Sequence, residues 1–112
     1  MKETVSFNDF IKLDVRAGEI LSCGVVENSE KLVNLKVDFG ELGERQIIAG
    51  ISKWYECDDL VGKQVLFVVN LEPRKIMGLE SQGMLLALGA SEDSKPILIV
   101  PNERVENGES VS

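Results

Sequence analysis

A chain of 112 residues, 44% apolar and 28% charged, is long enough for one domain with its own core and too short for two ordinary ones. No run approaches the roughly 18–20 consecutive apolar residues of a membrane span, and the opening MKETVSFNDF lacks the apolar centre of an export signal, so a cytoplasmic protein with no membrane partner is expected. The net charge of −7 counts against nucleic acid, while the complete absence of histidine removes the commonest general base and metal ligand, so neither an enzyme nor a cofactor or metal is expected.

Residues 11–17 alternate, with Ile11, Leu13, Val15 and Ala17 on one face and Lys12, Asp14 and Arg16 on the other, which predicts a half-buried strand. Gly18 interrupts the alternation and predicts a bulge that curls the sheet. After a turn at 27–30, a second strand places Val33, Leu35, Val37 and Phe39 inward and Asn34, Lys36 and Asp38 outward. A GELG turn leads to a third strand over 44–49.

Residues 52–61 have helix-compatible spacing through Trp54, Tyr55, Leu60 and Val61, with Ser52 and Asp58 as caps and the two aromatic side chains in the core or at its rim. Asp58 and Asp59 suit the start of that helix better than acid–base chemistry. Cys23 and Cys57 are distant and belong to no C-x-x-C pair, so both are expected as reduced thiols that fill space.

Two strongly apolar strands follow, at 64–69 and 84–88, with NLEPRKIMGLESQGM connecting them. Three strands, a short helix and two more strands is the order of the five-stranded OB-fold, an all-β Greek-key barrel, although a small sandwich has the same strand count. Beyond a polar GASEDSK connection, the ILIV segment at 97–100 predicts an extra strand, its apolar side buried on the barrel wall or against another chain. The residues from Asn102 onward are polar and acidic and are expected to be loosely ordered. The domain is thus residues 1–112, with its core at about 7–89 and a C-terminal extension at 90–112.

In an OB-fold the loop between the last two strands lies beside the ligand face formed by strands two and three. Arg74 and Lys75 would then approach Lys36 and Arg45, giving four cations around one groove suited to a phosphate backbone. Because charges are screened over about 8 Å at physiological salt, acids elsewhere on the surface would not cancel such a cluster. Asn70 and Ser81 could meet ribose hydroxyls, and Met77 could offer an adaptable platform for bases or simply cover the barrel mouth.

The series DFIKLDVRAGEIL, EKLVNLKVDFGE, IIAGISKWY, LVGKQV and VVNLEPRKIMGLESQGMLLA closely resembles the tRNA-binding domain found at the C-terminus of many bacterial methionyl-tRNA synthetases and as a stand-alone beta-type subunit. The resemblance spans residues 7–89 and implies an OB-fold, a homodimer, and recognition of tRNA by shape more than by sequence, without catalysis. Carried over by position, it marks Arg16, Lys31, Asn70, Pro73, Arg74, Lys75, Gly78, Ser81, Gly83 and Met84, whereas Asn34 stands where the family often has a basic residue. A methionyl-tRNA synthetase catalytic chain is the further partner it implies. A related export chaperone, a dimer that binds extended peptides, is the alternative, and a purely structural assembly domain is a third.

Overall fold

A computed structural model of the chain describes residues 1–91 and 93–112, so Glu92 of the polar connection lies outside the described residues. In chain order the elements are α1 (Phe7–Phe10), β1 (Val15–Val25), β2 (Val33–Asp38), a 3-10 turn (Gly40–Leu42), β3 (Glu44–Ala49), α2 (Cys57–Leu60), β4 (Gln64–Val68), β5 (Arg74–Ile76), β6 (Leu79–Ser81), β7 (Met84–Leu85), β8 (Ala87–Leu88) and β9 (Ile97–Leu98). The five-stranded sheet has the order β3-β2-β1-β4-β7, and all its pairings are antiparallel. It is nearly closed: Gln82 donates its N–H to the carbonyl of Gln46 at 2.8 Å, and the Ile48 N–H reaches the Ser81 hydroxyl at 3.0 Å. The fold is the expected all-β barrel of OB type.

Inward residues follow the period of two. Val33, Leu35, Val37 and Phe39 are all buried, and Phe39 meets Phe67 edge-on with ring centroids 5.4 Å apart. Leu60 of the single-turn α2 is fully buried in the same core. Gly18 serves packing rather than a bulge. A Cβ there would lie 2.5 Å from the Phe39 ring and from Val37, whereas the register slip of β1 falls between Ile20 and Ser22.

The first strand starts four residues later than its alternation predicts. The Ser6 hydroxyl accepts from the Asp9 N–H and caps α1, and beyond it Asn70 takes over the backbone. Its Nδ2 donates to the Lys12 carbonyl at 2.6 Å and its Oδ1 accepts from the Asp14 N–H at 2.8 Å. These bonds replace a strand ladder, so Ile11 and Leu13 are exposed instead of inward.

The expected loose tail is fixed in place. Ala17 donates to the Glu109 carbonyl, Gly108 to Ala17 and Val111 to Val15, which lays the last residues along β1. Buried Gln64 explains why: its amide donates to the Val105 carbonyl at 2.6 Å and accepts from the Val105 N–H at 3.0 Å. Asn107 adds bonds to Glu19 and Asp38, and Arg104 pairs with Glu19 at 2.6 Å. Polar composition here marks satisfied hydrogen-bond partners, not disorder.

The expectation of reduced thiols is also corrected, because Cys23 of β1 and Cys57 of α2 form a disulfide with Cα atoms 5.3 Å apart. Their separation of 34 residues concealed a proximity created when α2 folds back against β1. The extra strand β9 pairs with β8, and Ile99 continues onto Leu66. Leu98 packs against the core, as the barrel-wall placement expects, while Ile97 and Val100 stay exposed. No helix among the described residues is long and apolar enough to cross a membrane.

Candidate nucleic-acid interface

The loop between the two apolar strands is a hairpin, with β5 and β6 joined through Met77 and Gly78. Both turn residues have positive φ, 53° and 81°, which gives the twist that tight hairpins prefer. Methionine is a poor choice for that backbone, and its side chain stands 56% exposed at the tip. Pairing Arg74 with Ser81, Lys75 with Glu80 and Ile76 with Leu79 puts Arg74 and Ile76 on one face and Lys75 on the other. Two cations adjacent in sequence are therefore separated by the pleat.

Arg74 and Ile76 line a groove of about 770 Å³. Its opposite side is built by the turn after β3, where the Ser52 N–H donates to the Lys31 carbonyl at 3.0 Å and both Trp54 and Tyr55 donate to Ile51. This turn brings Lys31, Lys53 and Trp54 to the groove, over apolar side chains that include Ile51 and Met84. Asp93 is the only acidic side chain among the described lining residues.

The predicted four-cation groove is not what forms. Arg45 lies opposite Val37 in the β2–β3 register, hence on the inward face, and its guanidinium donates to the Val69 carbonyl at 2.6 Å. Lys36 points outward as expected, but it faces a separate depression of about 300 Å³ with Asn34 and Gln46, and its Nζ lies 3.8 Å from Glu44. Neither Lys75 nor the exposed Met77 is among the groove's lining residues.

Three other candidates are engaged within the chain. Asn70 holds residues 12–14, and the buried Ser81 hydroxyl accepts from Ile48 and donates to the Gly83 carbonyl at 3.1 Å. Arg16 makes two bonds to Asp14, at 2.9 and 3.2 Å, and a third to the Gly108 carbonyl. The hydrogen bond to Asp14 pushes the Arg16 pKa up, aided by the carboxylate's charge and opposed by desolvation. Of the nine candidates, Lys31 and Arg74 share the groove, and Lys53 and Trp54 join them unforeseen. The only sequence signal for the latter pair is a Lys-Trp step three residues after the glycine that ends β3. Assigning residues 52–61 to a helix concealed it, because α2 starts only at Cys57 and leaves 51–55 as a turn.

The family described as "Putative tRNA binding domain" matches residues 15–110, a span that takes in the C-terminal segment along β1. A methionine–tRNA ligase of Porphyromonas gingivalis is 44% identical over 109 residues, 97% of this chain and 16% of that protein. One from Archaeoglobus fulgidus is 44% identical over 110 residues, again 16% of the relative's length. The crystal structure of a MetRS related protein from Pyrococcus horikoshii is 38% identical with a TM-score of 0.89, covering 99% of this chain and all of that one. That of chaperone CsaA from Bacillus anthracis is 34% identical with a TM-score of 0.87, covering 98% and 100%.

Proposed function

Because the chain belongs to the tRNA-binding domain family, we propose that it binds tRNA through the groove between the β5–β6 hairpin and the turn after β3, as a dimer and without chemistry of its own. The observation that carries this is the convergence of Lys31, Lys53 and Arg74 on one apolar-floored groove in a molecule whose net charge is −7. Cations gathered on one groove act locally on phosphates, because acids more than a screening length away on the surface are largely screened. Lys36, Lys75 and Met77 lie outside the groove lining and serve at most as secondary contacts.

The chain spans about 16% of the ligases it resembles, so aminoacylation is not carried over. The proposed role is to give a cytoplasmic methionyl-tRNA synthetase extra hold on its tRNA in trans. Dimerisation would cover apolar side chains that a single chain leaves in water, among them Phe7, Phe10, Leu88, Ile97 and Val100.

Electrophoretic titration of bulk tRNA at two salt concentrations tests the proposal. Three phosphate contacts predict a log–log salt slope of about −2 to −3. Replacing Lys31 and Arg74 together by alanine should weaken binding and reduce the slope's magnitude by about 1.5, whereas Lys75→Ala should change little. Unchanged binding by the double variant would remove the groove from the mechanism.

The apolar floor and the likeness to the CsaA structure favour a second reading, a chaperone that binds extended peptides. It predicts peptide binding that persists at salt concentrations that abolish the tRNA complex.

A further inference from the structure

Trp54 is the only tryptophan in the chain. It is half-buried on the groove wall, where a core role would have sealed it. Among the described residues its indole stacks on no other ring and lies under no cation, although Phe39 pairs with Phe67 and Tyr55 sits beneath Lys95. Around it the groove offers Ile51, Ile76 and the adaptable thioether of Met84, with three cations against one described carboxylate. The volume of about 770 Å³ falls in the range of clefts that take a small-molecule ligand.

We infer that this groove seats one unpaired nucleotide of the RNA, its base stacked on the Trp54 indole and its phosphates met by Lys31, Lys53 and Arg74. The inference rests on the tRNA-binding function proposed above and adds a demand to it. A base held in an A-form helix keeps both faces in the stack, so only a looped, bulged or terminal nucleotide can enter. Aromatic stacking accepts every base, which gives a contact tolerant of sequence and selective for single-stranded geometry. An apolar peptide would suit the floor but leave the three cations without a counter-charge.

Tryptophan emission reports this site directly. The full chain is titrated with bulk tRNA, an unstructured RNA hexamer, a blunt RNA duplex without unpaired bases, and an uncharged apolar peptide, while complexes are followed in parallel by electrophoresis. The expected result is quenching by tRNA and by the hexamer that saturates with complex formation, with none from the duplex. Trp54→Leu, which retains apolar bulk, should weaken hexamer binding roughly 5- to 100-fold, and Trp54→Phe should fall between.

A tRNA complex that forms with emission unchanged would overturn the inference and leave the tRNA function standing. Quenching by the peptide alone would assign the groove to peptides and overturn it too. Absence of any tRNA complex would overturn the function and this inference together. Because quenching is read on the unaltered protein, a misfolded Trp54→Leu variant does not rescue or defeat the inference.

Discussion

Arg45 reaches from the inward face of β3 to the carbonyl of Val69 just past the end of β4, at 2.6 Å, and so bridges two strands that are not neighbours in the sheet. A guanidinium bonded to a backbone carbonyl in a half-buried setting contributes about 1.5–3 kcal/mol. Arg45→Ala should lower the unfolding free energy by that amount in urea titration, with the salt slope of tRNA binding unchanged. Lost binding at unaltered stability would return Arg45 to the ligand face.

Met77 occupies a left-handed backbone position that asparagine or glycine holds at less cost. Met77→Asn should stabilise the protein by roughly 1 kcal/mol, measured by thermal unfolding, while weakening tRNA binding several-fold. A gain in stability with full affinity would make Met77 a passive tip.

Gln64 satisfies both backbone groups of Val105 from a buried position. Gln64→Ala strands those groups and should cost about 1–3 kcal/mol. Hydrogen exchange gives the sharper check, because the Ala17 amide, bonded to the Glu109 carbonyl, should lose protection when the tail releases.

Opening the Cys23–Cys57 bond frees a loop of 34 residues, worth about 4 kcal/mol at most on the loop-entropy model. Thermal unfolding with and without a dithiol reductant should show the loss, and Cys57→Ala should reproduce it without reductant. Identical midpoints would mean that the bond constrains nothing the core does not already hold.

For the dimer, sedimentation should give twice the chain mass, and Ile97→Glu should shift the population toward monomer by placing a charge on the exposed apolar edge at β9. Dimers that persist in this variant would move the contact to α1, where Phe7 is 74% exposed.

Alternation makes β2 legible, since it presents one clean inward face to the core, whereas β3 is bounded by its flanking glycines and buries Ile47, Ile48 and Ala49 in succession. It failed at residues 11–14, where a side chain 56 positions away, Asn70, supplies the hydrogen bonds and no local pattern can show it. The tail was misjudged for the same reason: Gln64 and Asn107 are ordinary polar residues until each finds its partner. At the candidate site, charge and position bring Arg74 to the groove and the family resemblance alone marks Lys31, whereas Arg45 lies on the inward face instead of the expected outward one. A long guanidinium can leave the inward side at a barrel's end, so period-two reasoning and the preference of charge for water gave opposite answers. Trp54 was obscured by a helix drawn one turn too long.

The bond between β1 and α2 also turns part of the molecule into a closed ring, with β2, the 3-10 turn and β3 wholly inside it. A chain drawn out by its ends, as in a pulling experiment or at the mouth of a processive protease, would come taut roughly 110 to 120 Å short of its full contour, with that ring still to be threaded as a doubled strand.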